Sequence, residues 1–191
     1  MSAQRKPEIL LTEEEYWYGE ENSPIRHEFF EGQIYAMAGA GANHTDISSN
    51  LITSLTTQLR GHSCRARASD QRIKVESTTL QTYPDVVVVC PPFRFDPRNR
   101  ITLLDATVII EILSPSTRGY DHQAKFENYR ELPALRHYLL IEADQIGVEH
   151  RFKLDDGEWE TEQFVALNDE IALQTVGCRL TLGEIYEEIE F

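Results

Sequence analysis

Two stretches of the chain are almost uninterrupted in apolar residues, YPDVVVV ending at Val89 and TVIIEIL ending at Leu113. Short runs of this kind suit strands covered on both faces, as at the centre of an α/β sheet. Elsewhere the period is helical. From Asp46 to Arg60, Ile47, Leu51, Ile52, Leu55 and Leu59 recur at helical spacing, with Gly61 where a C-terminal cap belongs. Thr12 followed by Glu15 has the spacing of a capping box, which predicts a short helix to about Glu20, with Pro24 at its exit. RHEFF and QIYAM flank Glu31-Gly32 and predict a hairpin with Glu28 on its first strand. Cys64 to Ala68 and Arg72 to Val75 alternate weakly as strands. After the loop SPSTRGY a helix is expected from about Asp121 to Leu132, ended by Pro133, and then RHYLLIEA as a strand. Turn signals at Gln145-Ile146-Gly147 and Asp155-Asp156-Gly157 separate further strands, and Thr181 with Glu184 can cap a last short helix.

No repeat, linker or low-complexity stretch interrupts these elements, so the 191 residues read as one domain. A hydrophobic fraction of 41% and a charged fraction of 26% fit a soluble globular protein, and no segment approaches the ~18 unbroken apolar residues of a membrane helix. MSAQRKPEIL lacks the apolar centre of a secretory signal, so a cytoplasmic location is expected. Cys64, Cys90 and Cys178 are far apart and odd in number, and read as reduced, mostly buried thiols. The six histidines show no HxH or HExxH spacing, so a metal here would be bound mainly by oxygen.

A net charge of −14 argues against broad electrostatic adhesion to nucleic acid, which relies on cations releasing counterions. The average conceals an asymmetry: residues 60 to 153 carry 14 Lys and Arg against 12 Asp and Glu, and the remainder 4 against 20. Nucleic-acid contact is therefore expected in the middle, where Arg65, Arg72, Lys74 and Arg118 could track a phosphate backbone or simply be solvated.

Asp85 opens one buried run and Glu111 sits inside the other, and a carboxylate in apolar surroundings is costly unless something pairs with it. A divalent cation would compensate both: two carboxylates from adjacent strands, a backbone carbonyl such as that of Ile112, waters and a substrate phosphate make an oxygen shell for magnesium, with manganese as an alternative. Read singly, Asp85 could instead terminate a turn after Pro84, and Glu111 could pair with an Arg. Strand alternation puts Leu113 where a Glu-x-Lys motif would carry its lysine. Asp121, Lys125 and Tyr129 share one face of the following helix, and a lysine stem could reach back from there, or Lys125 could pair with Asp121 or face solvent. Tyr120 could stack on a base, whereas Tyr129 reads as core. Ser114, Ser116 and Thr117 lack a GxSxG elbow or a matched His and Asp, and SPST reads as a turn supporting Glu111.

In order, RHEFFEGQIYAM, NHTDI, YPDVVVV, VIIEILSPST and DHQAKFENY, spanning about residues 26 to 142, resemble the Uma-two family of restriction-endonuclease-like proteins. The resemblance implies the PD-(D/E)XK nuclease fold, α/β (α+β), a mixed central sheet flanked by helices. Here the N-terminal helix and a β-rich C-terminal extension would complete the single domain. It also implies metal-dependent hydrolysis of phosphodiesters, DNA before RNA, with the motif lysine displaced to Lys125 and with Glu28 and His44 as further site residues. Glu28 would hold a metal-bound water or second ion, and His44 would contact the scissile phosphate. Asp85, Glu111 and the Ile112 carbonyl would then hold the ion and Lys125 the attacking water, with a homodimer as the assembly kept open. Two other readings stand beside it: a nuclease-like fold retained as a binding or assembly module, and a carboxylate-pair glycosidase that leaves Lys125 without a task.

Overall fold

Alternation along the two apolar runs decides the architecture. In the computed structural model, which describes residues 10–37, 39–115 and 118–191, they are β6 (Val86–Val89) and β7 (Val108–Leu113), and every residue of both is buried. Val86, Val88, Val108, Ile110 and Ile112 point to one face; Val87, Val89, Ile109 and Leu113 point to the other, and each face has its own hydrophobic core. Continuous apolarity is what two-sided burial requires.

The central sheet has six strands in the order β10-β9-β8-β7-β6-β3, built with β3 (Arg65–Ala68), β8 (His137–Glu142), β9 (Val148–Lys153) and β10 (Trp159–Phe164). Only β7 and β8 run parallel, so the sheet is mixed. One face is covered by α2 (Ala42–Gln58), by the ribbon β11 (Glu170–Leu173) and β12 (Cys178–Thr181), and by α5 (Leu182–Ile185). The other carries the crossover between the parallel strands: α3 (Arg118–Tyr120), a π-helical turn (Asp121–Lys125) and α4 (Phe126–Tyr129). A second sheet, β2-β1-β5-β4, contributes Ile73 and, from the loop before β5, Leu80 to the same core; its strands are β1 (His27–Phe30), β2 (Gln33–Ala36), β4 (Ile73–Lys74) and β5 (Gln81–Thr82).

Thr12 caps α1 (Glu13–Glu21) reciprocally with Glu15, and Thr181 does the same for α5 with Glu184, as the spacings predict. The β1–β2 turn places Glu31 at φ 49° and Gly32 at φ 83°, a two-residue turn with both residues left-handed. At Gly32 a Cβ would also meet the Leu10 Cβ at 2.9 Å. Three expectations are corrected. α2 begins at Ala42, ahead of Asp46, which puts His44 in its first turn. The crossover helix starts at Arg118 rather than Asp121 and passes through π geometry. Cys64 and Cys90 are not reduced: they form a disulfide between neighbouring strand ends, one step beyond the Arg65↔Val89 pair, while Cys178 remains a buried thiol. The bridge closes a loop with a sequence separation of 26, enough to stabilise the fold by about 3 kcal/mol through chain entropy.

His137 and His150 face each other across β8 and β9 with Nδ1 and Nε2 2.9 Å apart, and His137 Nε2 lies 3.2 Å from the Thr175 hydroxyl. Burial, with Arg136 beside it, depresses His137 to about 4; burial, with His137 beside it, depresses His150 to about 3. Both are neutral in the fold at pH 7, so stability is unaffected above the ordinary histidine range. It falls as the pH drops from about 6.5 toward 3, where only the unfolded chain takes up protons. Urea unfolding at pH 7.5 and 5.0 is expected to show a loss on the order of a few kcal/mol in the wild type and a smaller loss in His150→Gln. Equal losses would remove the pair from the explanation.

Candidate active site

Glu111 interrupts the apolar row formed by Ile109 and Leu113 on the crossover face of β7, and it is 4% exposed. Asp85 precedes β6, and continuing the Val86↔Ile110 register by one step sets it opposite Glu111. Its Oδ2 accepts from the Ile112 N–H at 2.7 Å, which ties the end of one strand to the other, and its Oδ1 lies 3.2 Å from His44 Nε2. The first turn of α2 therefore delivers an imidazole to the carboxylate.

Lys125 projects from the π-helical turn into this cluster. A π turn adds one residue to the helical ring and recurs at functional sites; here Asp121 and Lys125, at its two ends, are both buried. Lys125 Nζ lies 2.9 Å from Glu111 Oε1, 3.2 Å from Glu28 Oε1 and 3.4 Å from Asp121 Oδ1. Both readings of the helix spacing hold: the lysine pairs with Asp121 and also reaches the strand. Tyr129, one turn on, donates its hydroxyl to Glu111 Oε1 at 2.8 Å. Thr82 of β5 donates to Glu28 Oε1, so the second sheet closes the cluster from the far side.

The electrostatics follow from burial. Desolvation pushes Glu111 up to about 8, Asp85 and Asp121 add to the rise, and Lys125 opposes it. Burial alone would lower Lys125, but Glu111, Tyr129, Glu28 and Asp121 hold its ammonium well above the usual lysine range. Burial likewise opposes the charge on His44, and the hydrogen bond and charge of Asp85 outweigh it, raising the imidazole. The cluster thus carries carboxylates crowded enough to resist ionisation together, which is the condition a divalent cation relieves.

Among the described residues no three His, Cys, Asp or Glu side chains converge as a cage for a metal. An ion would have to rest on the two carboxylates of Asp85 and Glu111, on main-chain oxygen such as Ile112, and on water or substrate. The donors fit such a hard-cation shell: they are oxygens, and burial, with Asp85 and Asp121 nearby, leaves Glu111 holding a proton that an ion could displace.

The four cations expected to track a backbone are not gathered at a cleft. Arg72 is 1% exposed, donating to the Thr102 hydroxyl and lying over the Tyr16 ring. Lys74 is buried against Glu13 and Asp96. Arg118 forks onto Glu142, and Arg65 donates to the carbonyls of His62 and Cys64. Ser114 accepts the Arg118 N–H through its carbonyl, while Ser116 and Thr117 lie outside the described residues. A groove of about 610 Å³ runs elsewhere, between α2 and β12, walled by Asn50, Ser54, Gln58 and Arg179, without a lysine or buried carboxylate.

Tyr129, Asp121 and Thr82 were not singled out as site residues from the sequence. The four-residue spacing of Asp121, Lys125 and Tyr129 carried a signal for the first two; Thr82 lies on a two-residue strand that periodicity does not reveal.

The model of a family described as "Putative restriction endonuclease", Uma2, matches residues 12–183. An uncharacterised protein of Synechocystis, slr1290, is 37% identical over 184 residues, covering 95% of this chain and 94% of its own length. A second, sll1609, is 33% identical over 162 residues, covering 85% and 92%. Among solved structures, a putative nuclease belonging to DUF820 from Anabaena variabilis superimposes with a TM-score of 0.73 at 17% identity, over 91% of this chain and 96% of that one. The likeness extends across the central mixed sheet and its flanking helices, and the family match runs from the cap of α1 into α5. The chain belongs to the Uma2 family of restriction-endonuclease-like proteins.

Proposed function

We propose that this chain is a divalent-metal-dependent endonuclease that hydrolyses phosphodiester bonds, with DNA as the substrate. The observation that carries the reading is the buried Lys125 ammonium, 2.9 Å from Glu111 Oε1 at the strand end where Asp85 is tied to Ile112. A nuclease-family chain with leucine two positions after its second acidic residue thereby regains a cation beside that residue.

Asp85, Glu111 and the Ile112 carbonyl would hold the ion. Bound magnesium or manganese would supply positive charge at a phosphoryl oxygen and lower the pKa of a coordinated water. Lys125 orients the attacking water and balances the charge that develops on the phosphoryl oxygens. Glu28 and Asp121 hold the ammonium from the side away from β7. Tyr129 and Lys125 both hold Glu111 through Oε1. His44, whose Nε2 now faces Asp85, would donate from it to the phosphate once an ion engages Asp85. A water oxygen bonds to phosphorus as the bond to the 3′ oxygen breaks, the proton lost by that water is balanced by one taken from solvent by the leaving oxygen, and the products are a 5′-phosphate and a 3′-hydroxyl.

Labelled oligonucleotides incubated with magnesium, with manganese and with chelator test this directly. Cleavage is expected with either ion and none with chelator. Because an ion at Glu111 must displace its proton, cleavage is also expected to rise with pH up to about 8. A folded protein that cleaves nothing and gains no thermal stability from either ion would place the chain among binding or assembly modules instead.

A further inference from the structure

Two exposed aromatic rings border the cluster from different elements. Tyr35 is directly opposite Glu28 in the β1–β2 pairing, so the two side chains share one face of the hairpin. It is 49% exposed, and its hydroxyl donates to Gln33 Oε1 at 2.7 Å, which steadies the ring along the strand. Tyr120 ends α3, is 38% exposed, and its ring centroid lies 6.0 Å from Lys125 Nζ. Its hydroxyl also faces the Glu28 carboxylate.

The cations near this end of the sheet are engaged within the protein. Arg118 clamps Glu142, Lys125 is enclosed by carboxylates, and Arg26 pairs with Asp70. Of the described cations without a carboxylate partner, Arg67 donates to Gln71 and lies over Phe95, Arg72 is buried against Thr102, Arg60 and Arg100 lie off the central sheet, and Arg65, Arg136 and Lys153 remain. They lie toward the opposite end: Arg65 pairs with Val89, Arg136 precedes β8, and Lys153 ends β9. A duplex read along its backbone needs several cations aligned beside the scissile bond. A strand held by its bases needs flat apolar faces, and stacking on aromatic rings tolerates any base.

We propose that Tyr35 and Tyr120 form a base-stacking platform at the mouth of the site, and that the substrate is nucleic acid with unpaired bases rather than continuous duplex. The proposal rests on the nuclease reading only for the placing of the scissile phosphate between the platform and Lys125.

Binding is measured by fluorescence anisotropy with calcium in place of magnesium. The probes are a labelled single-stranded oligodeoxynucleotide, the same sequence as a duplex, and an oligomer of abasic sites with the same number of phosphates. The wild type is expected to bind the single strand at least tenfold more tightly than the duplex or the abasic oligomer. It should lose only modest affinity between about 50 and 200 mM salt. Tyr35→Ala and Tyr120→Ala should each weaken single-strand binding about tenfold, and Tyr35→Phe and Tyr120→Phe should retain it, because the ring and not the hydroxyl stacks. Both tyrosines are exposed, so their truncation leaves the cores intact. Equal affinity for the abasic oligomer, Ala variants that bind like wild type, or a preference for duplex would each overturn the platform. Duplex cleavage with magnesium alongside any of these would leave the nuclease reading standing. Single-strand binding that depends on both rings, without cleavage, would support the platform and sink the nuclease.

Discussion

Lys125→Met is expected to lower the cleavage rate by about a hundredfold or more, as for loss of one preorganised electrostatic group. Methionine keeps the length and helix propensity of the side chain while deleting its charge. The surroundings make a second consequence measurable. Glu111, Glu28 and Asp121 all lie within 3.4 Å of the ammonium, and removing one partner from a buried ion cluster costs roughly 3–5 kcal/mol because the others remain uncompensated. The metal-free variant should therefore melt well below the wild type. Magnesium should recover more stability in the variant than in the wild type, because the ion then replaces the missing charge. Leu113→Lys combined with Lys125→Met moves the cation back to the Glu111 face of β7. Leu113 is buried on that face, and part of the lost rate is expected to return. A Met variant of full activity would detach Lys125 from the chemistry, whatever its melting temperature.

What the sequence made legible is what local rules govern. The two capping boxes, the Glu31-Gly32 turn and the doubly buried runs of β6 and β7 each depend on residues within a few positions of one another, and each appears as expected. The positions of Asp85 just before β6 and of Glu111 within β7 were legible for the same reason, since two charged residues stood in runs that sheet burial would cover. The remainder depends on contacts between distant segments. Thr82 and Glu28 meet because β5 pairs with β1, and Trp17 of α1 donates to Gln81 on that same strand. Arg72 and Lys74 look like surface cations in a weakly alternating strand, yet α1 and the loop before Leu103 bury them. Cys64 and Cys90 are separated by 26 positions that carry no disulfide signal, and only antiparallel pairing of β3 and β6 sets them opposite each other. Helix spacing brought Lys125 forward together with Asp121 and Tyr129, the family resemblance added Glu28 and His44 as candidates, and tertiary packing put Tyr129 and Asp121 on Glu111 and Lys125.

Asp85→Asn separates the metal site from the fold that carries it. The amide retains one oxygen, which can still accept from the Ile112 N–H, and its NH₂ can face His44 Nε2 as a donor to a neutral ring. The lost ion pair with His44 is largely shielded from solvent, its side chains 20% and 16% exposed, so its contribution lies above that of a surface pair and below the roughly 3–5 kcal/mol of a fully buried one. Against this loss stands a gain: Asp85 is one of the charges that raises Glu111, and removing it lets Glu111 ionise more easily beside Lys125. Metal-free stability should therefore fall by roughly 1–2 kcal/mol, well short of the loss expected for Lys125→Met. The response to the ion should not survive. With one of two carboxylate ligands gone, magnesium affinity is expected to fall by about tenfold or more and cleavage by about a hundredfold or more, while the thermal shift produced by magnesium in the wild type disappears. Calorimetric titration and melting curves, with and without magnesium, check both halves. A variant that folds normally and keeps the full magnesium response would place the ion away from Asp85, and with it the reacting phosphate.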